Sequence, residues 1–270
     1  MELGIVAKRE TPRAVELADR IRRHVDVPVT LDNLTADELD ANGTDVTSLS
    51  ACDLVVSIGG DGTFLFAARE VSPTPVLGVN LGEVGFLNAV SPEECVETVA
   101  GVVERMQAGD AELQELPQLQ ATGPGLSLPA AVNEVAVLGP QRGRDNGLDI
   151  DVRVNGEGYS SGRADGVLVS TPTGSTAYNL SEGGPIVHPD VSAFVVTEMC
   201  AESSMPSLAV PTDRTITVHV DGADHAVVAA DGRTRSQVAP PAEITLAVAA
   251  DPVRIAGPKL EFFTALDKLD

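Results

Sequence analysis

Tryptophan is absent from this 270-residue chain, and aromatic residues make up only 3% of it. Valine, leucine and alanine must therefore pack the interior, within an apolar share of 43% that suffices for a sizeable core. Cysteine is scarce. Cys52, Cys95 and Cys200 are odd in number and lack CxxC spacing. That excludes a disulfide or zinc framework and reads as small buried hydrophobes in a reducing compartment. No apolar run reaches the ~18 residues of a membrane helix, and no basic-then-apolar leader opens the sequence. Neither a membrane span nor a signal peptide is expected, and the expected location is cytoplasmic. Lysine is nearly missing. Lys8, Lys259 and Lys268 stand among eighteen basic residues, against forty acidic ones, for a formal charge of −22. Nucleic acid is excluded as a partner, because a phosphate backbone demands a basic face.

The acidic residues are spread along the chain rather than gathered in a tail. Such self-repulsion weakens a compact fold in dilute buffer, but at 1 M salt the screening length falls to ~3 Å. A salt-rich cytoplasm is the expected setting, and dialysis to low salt should unfold the protein.

What the chain does have is two short polar segments about a hundred residues apart. The first is Gly59-Gly60-Asp61-Gly62-Thr63, after the apolar run 54–58. The second is 170–178, Ser-Thr-Pro-Thr-Gly-Ser-Thr-Ala-Tyr, after the run 167–169. Glycines at a strand exit let the backbone turn sharply and bring its N–H groups close to an anion. Asp61 stands out in such a loop. A carboxylate repels phosphate, so its presence points to proton abstraction or metal work beside a phosphoryl group.

At this length two domains are expected. Residues 2–7 read as a strand. Thr11-Pro12 supplies an N-cap and first-turn proline for a helix to His24, with Ala14, Leu17, Ala18 and Ile21 on one face. Strands at 53–58 and 75–80 enclose a helix over 63–70. Ser91-Pro92-Glu93-Glu94 has capping-box spacing before a helical stripe that runs to Gly109. This alternation predicts an N-terminal doubly wound (Rossmann-like) α/β domain over residues 1–115. From about Gln118 short β-like runs dominate, at 131–138, 148–154, 166–170, 193–197, 215–220, 226–230 and 243–249. They predict a β-rich, sandwich-like domain over 116–255. Residues 256–270 have helical spacing and are expected to pack back on the first domain.

These residues resemble the NAD kinase family, which phosphorylates the adenosine ribose 2′-hydroxyl of NAD. The resemblance rests on GGDGT at 59–63, Asn80-Leu81-Gly82 with Gly85-Phe86-Leu87, Asn133-Glu134, and the block from Asp165 to Val187. Asp231-Gly232 fits as well. The matches cover residues 55 to 235, and the long block is the most specific. Asp61 is implied as the general base, taking the ribose proton as the phosphoryl group arrives. Gly59, Gly60, Gly62 and Thr63 are implied to grip the donor phosphates at a helix N-terminus. The other reading of Asp61 is a helix cap.

The resemblance further implies a dinucleotide site built from Asp61, Gly62, Asn133, Glu134, Arg144, Arg163 and Asp165. It continues through Thr173, Gly174, Ser175, Thr176, Ala177, Tyr178, Asn179, Leu180 and Ser181. The 173–178 segment has no lysine and cannot be a Walker A loop, so it acts through hydroxyls and backbone donors. NAD is the implied substrate, ATP or polyphosphate the donor, and Mg²⁺ or another divalent cation the donor's companion. No protein metal ligand is assigned. A homodimer or homotetramer is implied. His188, His219 and His225 receive no role.

The pattern also departs from the family. The usual Thr-Pro-Ile-Cys-Pro-His-Ser stretch reads Thr-Glu-Met-Cys-Ala-Glu-Ser at 197–203, and Arg233 replaces the glutamine after Asp231-Gly232. These changes motivate an alternative, a non-catalytic NAD(P)-binding relative. Lipid or sugar kinases share GGDGT but not the 165–187 block, and a Rossmann dehydrogenase would need G-x-G-x-x-G.

Overall fold

The computed structural model describes residues 1–82, 85–141, 143, 147–203, 205–259 and 261–267. Two compact units divide the chain: Met1–Leu116 with Asp251–Asp270, and Pro117–Ala250. The chain re-enters the first unit at Asp251 through a strand, Val253–Ala256, where the sequence reading places the return at residue 256.

The first unit is a seven-stranded sheet ordered Gly43–Thr44, Val29–Asp32, Leu3–Ala7, Leu54–Gly59, Val76–Asn80, Val253–Ala256, Leu113–Leu116. All neighbours are parallel except the last pair. Strands Leu3–Ala7 and Leu54–Gly59 are buried throughout, which explains their unbroken apolar runs. Helix Pro12–His24 begins at the anticipated proline and buries Ala14, Leu17, Ala18 and Ile21. Thr11 occupies the cap position, but its hydroxyl donates to the Arg9 carbonyl instead of capping the helix. Helix Cys95–Ala108 ends at Gly109, whose left-handed φ of 77° closes it. Strand order reverses between Leu3–Ala7 and Leu54–Gly59. Crevices at such reversals, outside the carboxyl ends of the strands, are where α/β sheets bind ligands. The GGDGT loop leaves Leu54–Gly59 at this point.

The second unit is a sandwich of two antiparallel sheets. One is ordered Glu157–Ala164, Leu148–Val154, Ile216–Asp221, Ala242–Val248, Leu119–Thr122. The other runs Leu208–Pro211, Ala193–Met199, Gly166–Ser170, Glu134–Leu138, Ala226–Ala230, Thr234–Val238. Alternate residues of both sheets share one core, including Ile150, Val152, Val218 and Ile244 from the first and Val135, Val167 and Val228 from the second. The six-stranded sheet has a second packed face, where Ala136, Leu168 and Met199 meet Tyr178. Register places Glu134 and Ser170 directly opposite each other, and the two-residue period puts them on that second face.

Cys52 and Cys95 are buried as expected, but Cys200 is exposed. It follows the strand Ala193–Met199 in a left-handed turn with φ 50°, so its side chain leaves the sheet.

Candidate functional site

Asp61 is the first residue of helix Asp61–Val71, whose cap is Gly60. Its carboxylate does not cap that helix. It accepts instead from a neighbouring segment: Oδ2 from the Phe86 N–H at 3.0 Å, and Oδ1 from the Leu87 N–H at 3.1 Å and the Asn88 amide at 2.8 Å. Gly85 is required here, because a Cβ at that position would collide with the carboxylate. Asn88 is fully buried and faces Asp61 with its Nδ2, while its Oδ1 has no protein partner. Two donors occupy Oδ1 and one occupies Oδ2, so Oδ2 retains an acceptor position. The Thr63 side chain lies against Gly59 and its N–H donates to the Gly60 carbonyl at 2.9 Å, which keeps the turn tight.

In the second unit the polar residues converge on the turn at 132–134. Asp231 reaches it from the end of Ala226–Ala230, nearly a hundred residues on. Its Oδ1 accepts from the Asn133 N–H at 2.7 Å and the Glu134 N–H at 3.3 Å, and its Oδ2 from the Val132 N–H at 3.1 Å. In return the Asp231 N–H donates to the Glu134 carbonyl at 3.0 Å. Thr171 locks the other side: its hydroxyl donates to the Val132 carbonyl at 2.6 Å and its N–H to the Asn133 carbonyl at 2.8 Å. Gly174 packs so closely on the Asn133 carbonyl that no side chain fits.

Glu134 is 5% exposed, and its Oε2 has no hydrogen-bond partner in the protein. Burial, with the Asp231 charge adding to it, pushes its carboxyl up to about 7, against a smaller opposing pull from the Tyr178 backbone N–H. Across the strand pair, the buried Ser170 hydroxyl also lacks a partner.

The segment after Thr171 divides by role. Ser175 and Asn179 are fully buried and committed inside the fold. The Ser175 hydroxyl donates to the Pro172 carbonyl at 2.7 Å and accepts from the Val187 N–H at 2.9 Å. The Asn179 amide donates to the Ser175 and Pro185 carbonyls and accepts from Thr197. Thr173, Thr176, Ala177, Tyr178 and Leu180 are partly exposed, and Ser181 is exposed. Asp165 is buried at the bend between the two sheets, where its Oδ1 accepts from the Gly143 N–H at 2.9 Å. Arg163 pairs with Asp149 at 3.2 Å. Arg144 lies outside the described residues. In the atypical stretch, the hydroxyl of the unchanged Thr197 joins Asn179 to Ser207, and the carboxylate of Glu198 accepts from the Met205 N–H.

Reasoning from sequence omitted Asp231, Asn88 and Ser170 from the site. Asp231-Gly232 enters the sequence reading only through the family resemblance; in the structure the pair forms a left-handed turn, with φ values of 48° and 64°. Nothing in spacing reveals that its carboxylate clamps residues 132–134.

A nucleotide-dependent phosphotransferase is the class this fold and these loops define. The ATP-NAD kinase N-terminal domain model matches residues 41–107 and the ATP-NAD kinase C-terminal domain model residues 132–256. The chain belongs to the NAD kinase family and is an enzyme of that kind. It is 53% identical to an NAD kinase of Haloarcula marismortui over 283 residues, covering 100% of both chains. It is 51% identical to one of Halobacterium salinarum, again over 100% of both. An NAD kinase of Methanosarcina acetivorans is 35% identical, over 94% of this chain and 92% of its own. Such halophilic relatives agree with the acidic composition and support a salt-adapted source. Among solved structures, an NAD kinase from Archaeoglobus fulgidus in complex with ATP aligns with a TM-score of 0.81 at 28% identity, over 100% of this chain and 98% of that one. A yeast NADH kinase complexed with NADH aligns at 0.85 with 24% identity, over 100% and 87%, a likeness of fold alone. Full-length identity to NAD kinases does not favour the non-catalytic alternative.

Proposed function

We propose that this enzyme transfers the γ-phosphoryl group of ATP to the adenosine ribose 2′-hydroxyl of NAD, with Asp61 as general base. The observation that carries this reading is the Asp61 carboxylate: three N–H donors fix its orientation and leave one acceptor position on Oδ2. That oxygen accepts the ribose proton as the new P–O bond forms. Gly59, Gly60, Gly62 and Thr63, at the start of helix Asp61–Val71, supply N–H groups and a hydroxyl to the donor phosphates. ATP bound to the Archaeoglobus enzyme supports ATP as donor; polyphosphate presents the same phosphoryl chemistry and is the alternative donor.

Asn133 and Glu134 hold NAD with Asp165, Arg163, Arg144 and the accessible residues of 173–181, Thr173, Thr176, Ala177, Tyr178, Leu180 and Ser181, while Ser175 and Asn179 brace that segment from inside. The buried, unpartnered Oε2 of Glu134 fits this role, since a sugar hydroxyl would satisfy it. Mg²⁺ accompanies the donor. Such an ion is carried mainly by phosphates and water and needs few protein ligands. It neutralises phosphate charge when bound. The location proposed is the cytoplasm, and the assembly a homodimer or homotetramer.

In molar salt, Asp61→Asn should cut NADP formation from NAD, ATP and Mg²⁺ by at least roughly 10²-fold, while calorimetry still detects NAD binding. Near-normal turnover by that variant would reject Asp61 as the base.

A further inference from the structure

Asp231 is far from the glycine loops in sequence, yet its carboxylate takes three consecutive backbone N–H groups, those of Val132, Asn133 and Glu134. Holding a turn needs only acceptors, and an asparagine or a carbonyl could supply some of them. A full negative charge set beside a second, buried carboxyl is unfavourable unless it serves a purpose. The second carboxyl is Glu134, with Oε2 unpartnered and the equally unpartnered Ser170 hydroxyl opposite it.

We infer that Asp231 is a positioning residue for dinucleotide recognition: it fixes the backbone of residues 132–134 and, through its charge, governs when Glu134 accepts a hydrogen bond from a sugar hydroxyl. This rests on the assignment of Glu134 to the NAD site. Among the described residues, Asp231 is the charged group acting on Glu134, from the end of strand Ala226–Ala230. Strand Gly166–Ser170 contributes the Ser170 hydroxyl, and helix Tyr178–Ser181 the Tyr178 N–H. With its carboxyl pushed up to about 7, Glu134 is largely protonated in mildly acidic solution. A hydroxyl donor arriving at Oε2 favours the ionised form, so NAD binding expels the proton.

The test is NAD binding by calorimetry in molar salt, without donor, from about pH 5.5 to 8, spanning the Glu134 titration. Wild type should lose affinity about tenfold per pH unit below its inflection, and Glu134→Gln should show a flat profile. Asp231→Asn and Asp231→Gly both place residues that accept the left-handed backbone at this position. Both should shift the inflection to lower pH by at least roughly half a unit, since both remove the charge. Asp231→Asn should also bind NAD about tenfold more tightly than Asp231→Gly, because its amide oxygen still accepts from the turn. An inflection that stays in place in both variants overturns the inference while leaving Glu134 in the site. If Glu134→Gln matches wild type at every pH, the assignment of Glu134 fails, and this inference falls with it. Wild type alone gives a further check should the variants misfold: near pH 6.5, binding measured in buffers of different ionisation heat should release a proton. No release would overturn the proposal.

Discussion

Asp61 in the parallel unit and Glu134 in the antiparallel unit are both carboxylates beside a glycine-bearing turn, and their surroundings differ in kind. Asp61 is half-buried and meets three N–H donors. Glu134 is 5% exposed, meets one backbone N–H, and faces the like charge of Asp231. The first environment orients an acceptor; the second makes a carboxyl that changes charge near neutrality. The architecture supplies each. A parallel sheet opens its loops at the carboxyl ends of the strands, where backbone N–H groups of neighbouring segments gather. A sandwich buries only the inner faces of its sheets; here Tyr178 packs on the outer face beside Ala136 and Leu168, and the polar side chain of Glu134 on that face is desolvated.

The largest effect expected is on chemistry at Asp61. Asp61→Asn should lower kcat on the order of 10²- to 10⁴-fold, the usual worth of a positioned general base, with the Kd for NAD nearly unchanged. Glu134→Gln should do the reverse, raising the Kd while kcat stays within a few-fold. Similar kcat losses in both variants would dissolve the contrast between the two carboxylates.

Glu134 should also mark the stability of the protein. In the unfolded chain its carboxyl titrates near 4.5; in the folded protein it holds its proton up to about 7. Between those values the native state binds more protons, so stability falls as pH rises. At 1.36 kcal/mol per pH unit the gap corresponds to about 3 kcal/mol. Thermal unfolding at constant molar salt should therefore show wild type losing about that much relative to Glu134→Gln between about pH 4.5 and 7. A pH-independent difference between the two proteins would contradict the buried, charge-opposed environment.

Gly174→Ala comes next. Its nearest neighbours would be the backbone atoms of Asn133, which cannot rotate away as a side chain can. The turn must move and stretch the 2.8 Å bond from the Thr171 N–H to the Asn133 carbonyl. A cost of about 2 kcal/mol is expected, read as a lowered unfolding midpoint with weakened NAD binding.

Asn88 bears on the other side of the comparison. Removing its amide with Asn88→Ala leaves Asp61 with the Phe86 and Leu87 N–H groups alone. A carboxylate with two donors instead of three should be less well aimed, and kcat should fall about tenfold with KM for NAD little changed. A rise in KM with kcat intact would place Asn88 in binding rather than in orienting the base.

How much of this was readable beforehand depends on what each residue leans on. Strands 148–154, 166–170 and 226–230 announce themselves because apolar side chains recur where a sheet is packed. Helix Pro12–His24 does so through its proline and apolar stripe. The strands that escaped notice are mostly at sheet edges: Glu157–Ala164, Leu208–Pro211, Thr234–Val238, Leu113–Leu116 and Leu119–Thr122. Edge strands carry polar residues and glycine, and they are defined by pairing with a neighbour more than by their own pattern. The same limit applies to the site. GGDGT and the 165–187 block are contiguous and therefore legible. The Asp231 clamp on residues 132–134 and the Asn88 contact with Asp61 exist only once distant segments meet.

The smallest effect expected is at Arg163, in a chain with few cations to spare. Its guanidinium lies 3.2 Å from Asp149, with side-chain exposures of 29% and 59%. A pair this open contributes on the order of 1 kcal/mol or less, and molar salt, with a screening length of ~3 Å, reduces it further. A double-mutant cycle of Arg163→Ala and Asp149→Ala, followed by thermal unfolding, should therefore give a coupling near zero in molar salt. The coupling should grow as salt is lowered, even while the protein as a whole weakens under its own negative charge. NAD affinity answers a separate question in the same four proteins. Asp149→Ala frees the guanidinium and removes a carboxylate that competes with the ligand's phosphates, so it should tighten NAD binding or leave it unchanged, whereas Arg163→Ala should weaken it. Equal weakening by both would mean that the ion pair itself, and not the free arginine, meets the dinucleotide.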